Sequence, residues 1–449
     1  MQFQLTSDFI EQIAQLIAKK DGNALRKLLQ EFHFADIAEL IEELKSDQAT
    51  YLVKQLESDL TSEALMELDD DVREKILERL SPIEIAAELQ ELDTDDAADI
   101  IGELDETIQQ KVIDKIEDQE RAADIVELLN YDEDTAGALM AKELVQVKET
   151  WTVAGCVREM RRQAENVTRV HSIYVTNKEG KLTGRLSLKD LLTAEAKTKI
   201  SDVFIPKVDY VTVHTENEEV ARIMQKYDLE AIPVVDDKGI LVGRITIDDI
   251  VDFIKDEAEK DYQMAAGISQ DVEADDSIID LTKARLPWLV LGLLGGLGSV
   301  YIMRGYDEAL ATHVELFFFT PLIAAMAGNV GVQSSAIIVQ GLANDNVKGS
   351  LFKRLLKEVG LALINGLALG VLVILFGALT QMDQQVAFTI AISMLLVIIV
   401  AALVGTFVPI ILDKKGIDPA IATGPFITTS NDIFGIFLFF FIAKIILNF

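Results

Sequence analysis

An aspartate inside an apolar stretch is the residue of this sequence that most needs a chemical explanation. Asp432 ends the segment Pro425-Phe-Ile-Thr-Thr-Ser-Asn-Asp432, within an otherwise apolar run from about 420 to 447. A carboxylate at membrane depth costs several kcal/mol unless it is paired or faces water, so an ion pathway is the default expectation. A protonated aspartate bonded to a neighbouring helix is the alternative. Thr428 lies four residues earlier and shares its helical face, and the same segment offers Thr429 and Asn431. A second polar interruption, Gly328-Asn-Val-Gly-Val-Gln-Ser-Ser335, follows Pro321 in another apolar run and puts Asn329 and Gln333 on one face. Neutral amides and hydroxyls suit a hydrated hard cation, because they hydrogen-bond its waters without stripping them. Packing between helices accounts for this second segment equally well.

Crossing a hydrocarbon core of about 30 Å takes roughly 20 apolar residues. Five runs qualify, at about 286–303, 314–339, 358–380, 385–412 and 420–447. Lys283 and Arg285 precede the first, Lys348, Lys353, Arg354 and Lys357 separate the second from the third, and Lys414 and Lys415 separate the fourth from the fifth. The opposite side carries Arg304 with Asp307 and Glu308, and then Asp383. The positive-inside rule therefore predicts cytosolic N-terminal domains and an outside C-terminus, in a multi-pass protein of the cytoplasmic (inner) membrane. Glu358, beside Lys357, reads as interfacial, and His313 and Glu315 fall near the outer surface.

The chain has 449 residues and a net charge of −33. Residues 281–449 hold 10 Lys+Arg and 9 Asp+Glu, which leaves 31 basic and 65 acidic residues before Leu281. Mean hydropathy is nonetheless positive, so acidic and apolar residues are segregated. An acidic soluble part repels phosphates, so nucleic acid is not an expected partner and cations are. The single cysteine, Cys156, excludes an internal disulfide framework and fits a reducing compartment. With Asp8 and Glu11 and no basic segment before an apolar stretch, the start is not expected to be a secretory signal. No Walker loop, zinc-ligand cluster or nucleophile elbow is present, so an enzyme is not expected.

From Phe3 to about Met140 apolar residues recur at helical spacing, with Ser81-Pro82 as a helix start. A loose motif recurs at Asp36–Leu40, Glu84–Leu89, Asp96–Leu104 and Ala122–Leu128, which predicts a small helical superhelix, an irregular bundle being the alternative. Strands then alternate with helices. Residues 173–192 align without gaps on 232–251, an offset of 59, with 7 of 20 positions identical. Each copy reads as strand, glycine turn, strand with Gly-Arg, and a helix capped at Ser187 or Thr246. This resembles the cystathionine-β-synthase (CBS) domain pair, whose motif stands here as Gly184–Asp190 and Gly243–Asp249. The resemblance implies either a structural pair or an adenine-nucleotide site, in which Ser187 and Asp190 would hold the ribose of ATP. Asp252, Asp256, Glu257, Glu259 and Asp261 follow on one continuing helix, and 277–285 reads as a short amphipathic helix before the membrane.

In this order, the parts and the two intramembrane motifs resemble the MgtE family of bacterial magnesium channels over essentially the whole chain. The resemblance implies a multidomain membrane protein: an all-α superhelical N domain (1–142), an α/β tandem CBS pair (143–201 and 202–260), a connecting amphipathic helix (261–285) and a five-helix transmembrane domain (286–449). It further implies a homodimer in which paired copies of Asp432 hold hydrated Mg2+, in a pore with Asn329, Gln333, Thr428, Thr429 and Asn431, closed by cytosolic Mg2+. Family sensor positions map onto Asp249, Asp252, Glu257 and Asp261, onto Glu216, Glu218 and Asp228, and onto Asp95 and Asp99. Two residues depart from the pattern: Lys260 stands where an acidic residue is usual, and Gly424 where a polar residue such as Asn lies near the cytosolic mouth. A divalent-cation exchanger and a membrane-anchored CBS nucleotide sensor are the rival readings.

Overall fold

A computed structural model describes residues 5–448 except 165, 166, 168, 271, 273–275, 344–346, 348 and 349; Lys348 and the acidic residues among 271–275 lie outside the described residues. The chain forms two compact units, residues 1–255 and 256–449.

The first unit starts with short helices between Ser7 and Leu128, most of them eight to ten residues long. Their starts are set locally. Ser81 and Glu84 form a reciprocal capping box ahead of Pro82, and Asp118 accepts from the amides of Glu120 and Arg121. Helices begin at Phe34, Ser58, Pro82 and Glu106, every 24 residues, and the members of this series stack in a row. The superhelix is thus present with a period that the loose sequence motif does not reveal, because only the burial pattern repeats and not the residue types. Polar side chains stitch successive repeats. Arg73 is buried and makes a bidentate pair with Glu103, Nε donating to Oε2 at 3.0 Å and Nη2 to Oε1 at 2.5 Å, and donates to the Leu68 carbonyl at 2.9 Å. Glu88, also buried, accepts from Thr61 Oγ1 at 2.6 Å.

Two three-stranded sheets follow. In the first, β1 (Val145–Lys148) pairs parallel with β2 (Ile173–Thr176), which pairs antiparallel with β3 (Leu182–Leu186). The second repeats the arrangement with β4 (Val211–Thr212), β5 (Ala231–Val235) and β6 (Leu241–Thr246). The 59-residue offset holds in register: Val175 faces Gly184 as Val234 faces Gly243, and each hairpin has its irregularity at the same place. The hairpin turns meet, Leu182 N donating to the Gly239 carbonyl and Leu241 N to the Gly180 carbonyl at 3.1 and 3.2 Å. The fold class is as the sequence predicts.

Five helices of the second unit are long and apolar enough to cross a membrane: span 1 (Ile278–Arg304), span 2 (Val314–Ala343), span 3 (Leu351–Leu379), span 4 (Gln384–Asp413) and span 5 (Gly424–Leu447). Span 4 packs against spans 2, 3 and 5, and span 1 packs on span 5. Two boundaries differ from expectation. Residues 278–285 are not a separate amphipathic helix but the start of span 1, capped by Ser277 and continuing through Pro287; a proline removes a single donor and need not end a helix of this length. Residues 419–422, placed by sequence at the start of span 5, form a separate 3-10 turn capped by Asp418.

Burial pushes the Glu88 carboxyl from 4.5 up to about 7. A carboxylate with a raised folded-state value costs nothing below its unfolded value and destabilises progressively as pH rises through the folded one. Glu88→Gln keeps an acceptor for Thr61. It is expected to raise hydrogen-exchange protection of residues 82–89 by about 1–3 kcal/mol at pH 8 and to change little at pH 5.

Candidate ion pathway

Gly328, Asn329, Val332 and Gln333 of span 2 and Thr428 and Asp432 of span 5 line one cleft of about 390 Å³. Spacings of three and four residues make each set one stripe of its helix. Glycine on span 2 allows the approach: a Cβ on Gly328 would lie 3.1 Å from Thr428 Cγ2 and 3.5 Å from Asp432 Oδ1. Thr428 donates its hydroxyl proton to the Gly424 carbonyl at 2.9 Å, which leaves the oxygen lone pairs free to accept. Among the described residues, the side chains of Asn329, Gln333 and Asp432 have no hydrogen-bond partner in the chain. A water-lined cation would find a carboxylate, two amides and a hydroxyl oxygen there.

Two of the expected pore residues are elsewhere. Thr429 fills the space over Gly295 of span 1, and Asn431, 1 % exposed, fills the space over Gly331 of span 2 with both amide atoms unpartnered. They pack the helices that carry the cleft. Glu358, expected at the interface, is the eighth residue of span 3 and accepts from Ser334 Oγ of span 2 at 2.6 Å.

In the first unit, helix Thr94–Gly102 presents Asp95, Asp96 and Asp99 toward Asp249, at the start of helix Ile247–Ala266. Desolvation in the packed junction, then mutual repulsion, raises buried Asp95 well above the carboxylate range and half-buried Asp96 to about 8; Asp99 is raised to about 7 although its side chain still reaches solvent. Partial burial also raises Asp249, although it accepts from Thr246 N and Oγ1 at 2.8 and 2.7 Å, and the exposed Asp252 is raised by desolvation and by the nearby charges of Glu67 and Asp249. An arginine network holds these acids together. Arg244 of β6 donates to Asp93 at 3.0 Å and to the Glu143 carbonyl, while the Glu143 carboxylate accepts from Arg121 at 3.0 Å and from Thr94 Oγ1 at 2.8 Å. Sequence reasoning gave Asp93, Asp96, Arg121, Glu143 and Arg244 no such role: Asp96 and Arg244 enter it only as members of the helical and CBS repeats, and no spacing within one segment brings the five together.

The other expected sensor positions do not form one site. Glu216 stands just before and Asp228 just after the 11-residue helix Asn217–Tyr227, about 18 Å apart at 1.5 Å per residue, and Glu218 lies in its first turn. At 3.6 residues per turn Asp249 and Asp252 share one face of their helix, and Glu257 and Asp261 another. Lys260, the departure from the family pattern, pairs with Glu257 at 3.5 Å. No three His, Cys, Asp or Glu side chains among the described residues are placed to grip a bare metal ion. Ser187 caps its helix, accepting from Lys189 N at 3.2 Å.

Residues 320–442 match the MgtE family model, described as a divalent cation transporter, residues 32–134 the MgtE intracellular N domain, and residues 136–197 and 200–256 the CBS domain. The chain is 36% identical over 317 residues to the magnesium transporter MgtE of Bacillus subtilis, covering 70% of each chain, and 35% identical over 325 residues to that of Thermus thermophilus, covering 72% of each. A crystal structure of the cytosolic domain of the Mg2+ channel MgtE in complex with ATP matches 54% of this chain and 99% of its own, at 36% identity and a TM-score of 0.52. The soluble part of a magnesium transporter matches 56% and 98%, at 29% identity and a TM-score of 0.50.

Arg244 is buried, and its partner Asp93 mostly so. Arg244→Ala is expected to weaken the junction by about 3–5 kcal/mol, since an unpaired buried charge remains, and to expose residues 129–143 to early cleavage in limited proteolysis. An unchanged cleavage pattern would show that other contacts hold the helical part.

Proposed function

The chain belongs to the MgtE family of magnesium transporters, and on that premise we propose that it is a magnesium-selective channel of the cytoplasmic membrane, shut from the cytosolic side by magnesium itself. The observation behind this reading is the unpartnered Asp432 carboxylate in a cleft otherwise lined by amides and a hydroxyl. One carboxylate half-neutralises a divalent ion. A homodimer that brings the Asp432 of a second copy to the same axis completes the charge, and Asn329, Gln333 and Thr428 then hydrogen-bond the ion's retained waters. Magnesium sheds its waters reluctantly, so a site built for the hydrated ion favours it over ions that bind after dehydration.

Closure uses the acids of the N domain (1–142) and the CBS pair (143–260). With Asp95, Asp99 and Asp249 crowded and Asp252 close by on the same face, the cluster relieves its repulsion by binding cations that bridge carboxylates through water. Binding favours the compact arrangement, and the helix that starts at Ile247 passes the change toward the pore. The weaker positions Glu216, Glu218, Asp228, Glu257 and Asp261 add charge that the same ions screen. Moving such a gate from 1:99 to 99:1 takes about 5.5 kcal/mol of differential binding, which several weak sites in a dimer supply together. ATP is the second ligand of this reading. The cytosolic domain that crystallised with ATP supports it, and in this chain Ser187 and Asp190 would meet the ribose.

In proteoliposomes, Asp432→Asn is expected to lower magnesium flux by about tenfold or more, a barrier rise of about 1.4 kcal/mol, with the protein still folded by its elution profile. Undiminished flux would remove Asp432 from the pathway. Neutralising Asp249, Asp252, Glu257 and Asp261 together should leave a channel that conducts at millimolar internal magnesium. Closure over the parent's magnesium range would mean that these acids are not the sensor.

A further inference from the structure

A second carboxylate lies at about the depth of Asp432. Glu358 is the eighth residue of span 3 and Asp432 the ninth of span 5, about 10 and 12 Å along their helices at 1.5 Å per residue. The short connections on either side of span 4 start both helices on the same side of the bundle. An ionisable residue at that depth calls for a function and a partner. Glu358 is half-buried and does not line the cleft; its Oε1 accepts from Ser334 Oγ of span 2 at 2.6 Å, and Ser334 is only 6 % exposed. Span 4 confines the same serine, since a Cβ on Gly405 would collide with the Gly331 carbonyl oxygen and lie 3.1 Å from Ser334 Cβ. Three spans therefore meet at one hydroxyl, and the next residue back, Gln333, is exposed and lines the cleft.

We infer that Glu358 is a positioning residue of the ion pathway: its hydrogen bond to Ser334 fixes the rotation of span 2 that turns Gln333 into the cleft. The inference rests on the transport reading above. Successive residues of a helix point about 100° apart, so a Ser334 side chain held against span 3 sets the direction of Gln333, and of Asn329 one turn earlier. Gly331 and Gly405 bring spans 2 and 4 close, but a contact between small surfaces leaves a helix free to turn. A hydrogen bond is directional, and a turn that broke this one would strand a buried hydroxyl without its acceptor, at the cost of an unsatisfied polar group. What the role demands of residue 358 is an acceptor at that place, whether or not it is charged.

Gln333→Cys in a full-length Cys156→Ala chain leaves one thiol, on the cleft. Its rate of modification by a water-soluble methanethiosulfonate reports which way position 333 faces, whether or not the protein conducts. Adding Glu358→Leu or Ser334→Ala is expected to slow modification about fivefold, a loss equivalent to roughly one hydrogen bond, and the two together no further than either alone. Glu358→Gln keeps an acceptor and should leave the rate unchanged. With Gln333 in place, Glu358→Leu and Ser334→Ala in proteoliposomes should raise the magnesium concentration that gives half-maximal flux by a similar factor, with a smaller effect on maximal flux, and Glu358→Gln should match the parent. Unchanged modification in Ser334→Ala, which removes a single oxygen and tests the bond even where Glu358→Leu fails to fold, would overturn the positioning role. Flux in Glu358→Gln as impaired as in Glu358→Leu would overturn it too, because the carboxylate would then act through its charge. A parent that carries no magnesium would sink the transport reading, and the modification rates would still decide whether Glu358 orients span 2.

Discussion

A carboxylate can stay unpaired inside an apolar helix bundle only where water or an ion reaches it. The packing of the transmembrane unit follows from that constraint. Gly328 brings span 2 within van der Waals reach of Thr428 and Asp432, and a Cβ on Gly435 would lie 3.0 Å from Ala327, so the cleft is walled by helices that approach through missing side chains. The rear of the same helices is closed. Asn431 sits over Gly331 with its amide unpartnered, at a cost of about 1–3 kcal/mol for each buried unsatisfied group, and a polar residue kept there at that cost acts as a wedge that sets the rotation of span 5. Turning that helix by one residue would bury Asp432 and expose Asn431.

The soluble unit meets the opposite difficulty. Its carboxylates are too close rather than too isolated. Their raised values mean that Asp95 and Asp96 hold protons at neutral pH, and on the proposed reading a divalent cation takes the place of those protons, which links its binding to docking of the helical repeats on the second CBS copy. In the proposed function, pore and sensor both rely on acids placed where a cation stabilises them. They differ in what supplies the second charge: neighbours from the same chain in the soluble unit, and the symmetry-related aspartate of the proposed dimer in the membrane.

Much of this was legible without coordinates, for reasons that lie in local periodicity. The five spans follow from runs of apolar residues as long as a bilayer is thick, the tandem CBS copies from an ungapped 59-residue offset, and the special status of Asp432 from its depth in an apolar run. Helix ends were less legible. Span 1 begins at Ile278 and span 5 at Gly424 because capping by Ser277 and the turn at Pro419–Ala422 outweigh hydropathy there. The 24-residue period of the N domain went unseen, since repeats that conserve burial but not residue type leave little trace in one sequence.

By itself the sequence determined which segments are helices and strands, which cross the membrane, and which polar residues share a helical face. Those properties depend on neighbours a few positions away. Tertiary structure alone decided that Asn431 and Thr429 wedge helices together while Thr428 and Asp432 line the cleft. It also decided that Asp96 joins the acidic junction, that Arg244 holds Asp93 across 151 residues of chain, and that Ser334 meets Glu358. Each of these depends on which face of one helix packs against which face of another. That choice is made by glycines and small residues matching bulges in three dimensions, and no spacing within a single segment encodes it.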